Sequence, residues 1–133
     1  MTVRGIRGAI TVESNTEEEI LAATQELLDA ICVQNPSLQV SDMASAWFTC
    51  TTDLNAVYPA RAAREMGWQD LPMLCAQEMF VEGSISKCIR VLLHWNTQIP
   101  GEEIRHVYLR DATRLRPDWV MKNKENEVTG GVL

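Results

Sequence analysis

Two charged side chains stand inside apolar runs where a packed strand would carry none: Glu78 within Leu71 to Val81, and Arg90 within Cys88 to Trp95. Taking an ion out of water is costly unless an opposite charge or a ligand compensates it. Glu78 and Arg90 therefore either neutralise each other as a structural pair or belong to a site. Arg7, Arg61, Arg64 and Arg116 lie in other segments with clear structural signals, and Tyr108 adds a phenol on a strand-like run. A guanidinium is a rigid fork of donors matched to carboxylates, so this set suits a small polyanion. Arg61 and Arg64 are three apart on one helical face, spaced either to grip one anion or to sit as surface charges beside Glu65.

Other chemistries find little support. There is no Gly-x-Ser-x-Gly elbow, phosphate loop, dinucleotide fingerprint or His-Glu-x-x-His pair. Cys32, Cys50, Cys75 and Cys88 form no Cys-x-x-Cys motif, and His94 and His106 sit apart in strand-like runs, so neither metal ligation nor a disulfide scaffold is expected. A net charge of -6 argues against a nucleic-acid surface. No apolar run approaches the roughly 20 residues of a membrane span. The first residues lack the apolar core of a signal peptide, so the expected address is cytoplasmic.

The 133 residues suffice for one domain with one core. Val3 to Val12 reads as a strand with Arg7 flanked by glycines, which either clear room for Arg7 or let the sheet pack tightly on a helix. Asn15 to Ala30 is the clearest helix, with Thr16 and Glu19 at capping-box spacing and an Ile20, Thr24, Leu27, Leu28, Ile31 stripe. Met43 to Thr52 reads as a largely buried strand, and Pro59 to Gly67 brackets a short helix. Leu71 to Val81 and Cys88 to Trp95 read as neighbouring buried strands joined by a short turn at Glu82-Gly83-Ser84. On the second, Ile89, Val91, Leu93 and Trp95 share one face and Arg90, Leu92 and His94 the other. Ile104 to Leu109 is a last strand, Asp111 caps a short turn, and residues 117–133 read as a mobile tail behind a domain of residues 1–116.

Taken together, RGIRGAITVE, the TEEEI helix, AVYPARAARE, GWQ, CAQEM, KCIRV, IRHVYL and LRPD resemble the monofunctional chorismate mutases of the trimeric α/β class, over nearly the whole chain and in order. The resemblance implies an α+β (α/β) fold, a mixed sheet of about five strands packed by one long and one or two short helices, assembling as a barrel-like homotrimer with sites between subunits. It implies an isomerase that rearranges chorismate to prephenate without metal or cofactor. Arg90 and Glu78 would be catalytic, Arg90 donating to the ether oxygen and Glu78 accepting from the ring hydroxyl. Arg7 and Tyr108 would bind the side-chain carboxylate. Leu74, Cys75, Ala76 and Gln77 would line the pocket, Tyr58, Arg61 and Arg64 would form another wall, and Leu115 with Arg116 would close the mouth. Leu74 replaces a usual threonine, Tyr58 a phenylalanine and Arg61 a lysine. Cys75 and Glu78 have opposite strand parity, so a bulge brings them together or the strand serves two clefts. A non-catalytic trimeric metabolite binder is the competing reading, and a hydrolase or deaminase using Cys75 and Glu78 a weaker one.

Overall fold

The computed structural model describes residues 2–132, with side chains from 2 to 124. The chain runs β1 (Thr2–Thr11), α1 (Glu17–Gln34), β2 (Met43–Cys50), α2 (Ala60–Glu65), β3 (Met73–Gln77), β4 (Cys88–Thr97), β5 (Val107–Leu109) and α3 (Pro117–Val132), with short 3-10 turns between. The five strands form one mixed sheet in the order β3-β2-β4-β1-β5. β4 is antiparallel to both β1 and β2, whereas β5 joins β1 and β3 joins β2 in parallel.

α1 forms where the capping signal places it. Thr16 accepts from the Glu19 amide at 3.2 Å, but the Glu19 carboxylate reaches back to the Glu13 amide rather than to Thr16 itself. Ile20, Thr24, Leu27, Leu28 and Ile31 are all buried against the sheet, and the Thr24 hydroxyl is satisfied by the Ile20 carbonyl. Each of the larger aliphatic side chains contributes roughly 1.5–3 kcal/mol by leaving water. The helix runs to Gln34, one turn beyond the expected end, and stops at Asn35, whose side chain bonds the Ile31 carbonyl and both backbone groups of Arg105. Across the sheet, Ile89, Val91, Leu93 and Trp95 enter the core beneath α1, as their alternation requires, and Arg90, Leu92 and His94 lie on the half-exposed opposite face.

Four expectations need correction. Leu71–Val81 and Cys88–Trp95 are not neighbours, because β2 lies between them. β3 follows β2 in parallel, a pairing that needs a crossover, and α2 supplies it. Nor is the first run a buried strand. It ends at Gln77 on the sheet edge, leaving Met79, Phe80 and Val81 exposed in the loop toward β4. The last strand begins at Val107 rather than Ile104, since the Arg105 amide goes to the Asn35 side chain and the ladder with β1 starts only at Gly8–Val107. Finally, Pro117 opens a helix where no periodicity was visible. The side chains from 125 on, which belong to the expected mobile tail, lie outside the described residues.

The glycines around Arg7 are also resolved. A methyl group at Gly8 would meet the Val107 carbonyl and Ile31 at 3.0 Å and Leu27 at 3.2 Å, so this glycine permits tight helix and strand packing on the core side. Gly5 has only an ordinary contact, Leu92 at 3.5 Å. We expect Gly8→Ala to cost about 1–3 kcal/mol in urea unfolding through overpacking. An unchanged midpoint would show that α1 and β5 give way freely.

Candidate active site

Strand register builds the site. Thr49 on β2 and Ala9 on β1 both pair with Arg90 on β4, and Ala9 pairs in turn with Tyr108 on β5. Directly paired residues point to the same side of a sheet, so Thr49, Arg90, Ala9 and Tyr108 make one row on the face away from α1. Arg7, two residues before Ala9, lies on the same face. The methyl group of Ala9 leaves space between the two long polar side chains. Thr49 Oγ1, Arg90 Nε and the Tyr108 hydroxyl are each buried without a hydrogen-bond partner, although most buried polar atoms have one.

Glu78 reaches this row from the end of β3. Its amide bonds the Cys50 carbonyl at 2.8 Å, extending the β2–β3 ladder one rung beyond Gln77. Glu78 Oε1 lies 3.3 Å from Arg90 Nε, close enough for an ion pair yet misaligned for a hydrogen bond, which is why the guanidinium nitrogen remains unsatisfied. The two side chains border a cavity of ≈ 230 Å³, walled by Thr51, Asp53 and the loop from Met79 to Ser86.

The opposite end of the row is enclosed by Arg7, Arg116 and Trp119. The Arg116 guanidinium lies 3.3 Å from the Trp119 ring centroid and that of Arg7 lies 6.0 Å away, while Trp119 stacks on His106 at 3.9 Å. Leu115 and Trp119 pack on the small cluster of Ala9, Cys88, Tyr108 and Ala112. Burial raises the Tyr108 phenol above its ordinary value, and Arg7, Arg116 and Arg90 all oppose that rise, as cations facing one hydroxyl must. His106 is pushed down to about 4, first by burial and then by Arg116, Arg7, Lys122 and Arg105. It is therefore neutral at pH 7, and its Nδ1 accepts from the Arg7 amide at 3.0 Å.

The remaining expected residues lie elsewhere. Tyr58, Cys75, Ala76 and Gln77 line a separate cleft of ≈ 650 Å³ that shares only Thr51 and Thr52 with the Arg90 cavity. Cys75 pairs with Phe48 and takes the core side, whereas Leu74 pairs with Trp47 and is exposed. Arg61 is engaged by Glu17 and, at 3.0 Å, by Glu65, while Arg64 ends α2 close enough to act electrostatically on Cys75. The expected residues thus fall into two groups that do not converge within one chain. Burial raises the thiols of Cys50, Cys75 and Cys88, the first to about 12 and the last to about 11, so none is a ready nucleophile. Among the described residues no cluster of His, Cys, Asp or Glu could hold a metal ion. Thr49 and Trp119 escaped the sequence reading. Register with Arg90 would have found Thr49, but it is invisible before strand pairing is known.

The unfolded chain protonates His106 near pH 6.5 and the folded chain only near 4. Its contribution to stability is full above 6.5 and is lost as the pH falls toward 4. Urea midpoints should drop across this window, and His106→Asn, which keeps an acceptor for the Arg7 amide, should flatten the slope. The same slope in both proteins would assign it to other groups.

The sequence has close relatives among named proteins. Residues 3–119 match the family described as chorismate mutase type I. Chorismate mutase AroH of Bacillus subtilis (strain 168) is 49% identical over 127 residues, covering 94% of this chain and 99% of that protein. Chorismate mutase AroH of Thermus thermophilus is 51% identical over 116 residues, 87% of this chain and 95% of its own. A solved chorismate mutase from Clostridium thermocellum superposes with a TM-score of 0.80 at 47% identity, over 83% of this chain and 97% of the other. With the family match over residues 3–119 and two relatives about half identical across most of its length, the chain belongs to the type I chorismate mutases.

Proposed function

We propose that the protein rearranges chorismate to prephenate, the step toward phenylalanine and tyrosine, at a site assembled from Arg90, Glu78, Arg7, Tyr108 and Arg116 of one chain and the Tyr58–Cys75 cleft of another in a homotrimer. The carrying observation is the convergence of Arg7, Arg90 and Arg116 on a buried, unpartnered tyrosine hydroxyl. A Claisen rearrangement is pericyclic. It needs no nucleophile, base or metal, only a compact substrate conformation and a donor where negative charge develops on the ether oxygen. Arg90 supplies that donor, and its misaligned pairing with Glu78 leaves the guanidinium free to align on substrate. Because this charge appears only as the C–O bond breaks, the interaction is stronger in the transition state than in bound substrate. Glu78 takes the ring hydroxyl and holds Arg90 in place. Arg7 and Tyr108 bind the side-chain carboxylate, and Leu115 and Arg116 close over it. Tyr58, Arg61, Arg64, Leu74, Cys75, Ala76 and Gln77 contribute the facing wall, with Leu74 offering backbone groups only. The domain proper spans residues 1–116, and the enzyme is cytoplasmic. No helix among the described residues is long and apolar enough to cross a membrane.

Purified protein should consume chorismate, followed by loss of its absorbance; no turnover would end the mutase reading. Arg90→Ala should lower kcat by about 10²–10³-fold, as removal of an oxyanion donor does. Arg90→Lys should also lose most activity, because the planar fork is lost while the charge is kept; near-normal turnover would contradict the assigned role. The division of the site between chains has its own test. Arg90→Ala and Arg64→Ala chains, each impaired alone, should regain activity when refolded together, since mixed trimers contain some intact sites. No recovery would place the whole site within one chain.

A further inference from the structure

The pair of Glu78 and Arg90 spans the two ends of the connection from β3 to β4. Its geometry therefore depends on how that connection is tied to the sheet. One end is fixed by the Glu78 amide on the Cys50 carbonyl. At the other end, Lys87 has a φ of 49°, in the left-handed region, which is strained for a lysine and persists only if held. Asp53 holds it. Both carboxylate oxygens of Asp53 accept from the Lys87 amide, at 3.0 and 3.1 Å, and Oδ1 also accepts from the Thr51 hydroxyl at 2.5 Å. The Thr51 oxygen in turn accepts from the Cys88 amide at 3.0 Å, and the Thr51 amide donates to the Cys88 carbonyl at 3.0 Å. The Lys87 carbonyl accepts from the Val12 amide, and its ammonium reaches the Glu13 carbonyl. Asp53 thus fixes the entry to β4 two residues before Arg90, from the wall of the cavity that Glu78 and Arg90 border.

We infer that Asp53 is a positioning residue for the reaction: through Thr51 and the Lys87 amide it sets the start of β4, and so the placement of Arg90 against Glu78. The carboxylate acts through its hydrogen bonds to Thr51 and the Lys87 amide. Its effect rests on the mutase reading and acts through the Glu78–Arg90 pair, so it belongs to kcat rather than to binding. Misplacing a group at the reacting centre by about 1 Å costs up to about 10²-fold.

The test measures kcat and KM on chorismate for the wild type, Asp53→Asn and Asp53→Ala, each alone and combined with Glu78→Gln. Asp53→Ala should lower kcat by about tenfold to a hundredfold with KM little changed. Asp53→Asn keeps one acceptor oxygen and should fall between, which also serves if the alanine variant does not fold. On the Glu78→Gln background the loss should shrink, because the pair is already broken. An unchanged kcat, a rise in KM alone, or an equal loss on both backgrounds would overturn the proposal. If the wild type itself fails to turn over chorismate, the mutase reading falls and crystal structures decide the role of Asp53. A Glu78–Arg90 separation widened beyond ~4 Å in Asp53→Asn would support it, and an unchanged pair would refute it.

Discussion

A guanidinium on the central strand of a sheet must find negative charge, and much of this molecule can be understood as the answer to Arg90. β4 is paired on both sides, so neither edge is available to let the side chain escape into water. Glu78 supplies one carboxylate, placed by carrying the β2–β3 ladder a rung past Gln77. Ala9, the neighbour in register, is the smallest side chain that still belongs on a strand, and the larger alternatives would fill the space between Arg90 and Tyr108. Glu78 still leaves the Arg90 Nε without a hydrogen bond, and on the reading proposed above that donor is what the substrate takes up.

The opposite face answers to a different constraint. α1 approaches the sheet so closely at Gly8 that no Cβ fits, and this fixes β1 between β4 and β5. Arg7 and Ala9 flank that contact and point the other way. The packing of hydrocarbon on one side therefore determines where charge sits on the other, within a fraction of an ångström that loops could not guarantee.

Much of this was legible in the sequence. The alternation through Ile89, Val91, Leu93 and Trp95 located the core face of β4 and left Arg90 on the other, and the Thr16–Glu19 spacing located the start of α1. Patterning failed where the apolar content of a segment is not spent on its own core. Met79, Phe80 and Val81 look buried in sequence and are exposed in the isolated chain. Strand order was also hidden, since two consecutive apolar runs look alike whether or not a third strand slips between them. The start of β5 was missed because Asn35, a helix-terminating residue 70 positions earlier, claims the Arg105 amide. Such a contact leaves no local trace.

The amide of Arg7 donates to the ring of His106, 99 residues further along the chain, and the row through Ala9 ends on Tyr108. The N-terminal strand therefore has no parallel partner until Val107 has been made. During synthesis, which delivers the N-terminal end first, β1 emerges early and waits, its polar face uncompleted, while α1 and the β2–β4 ladders form around it. A chain interrupted before residue 106 would retain most of its core-forming side chains yet lack Tyr108 and Arg116 at one end of the row. The row is thus completed only when the segment from Val107 to Arg116 joins β1.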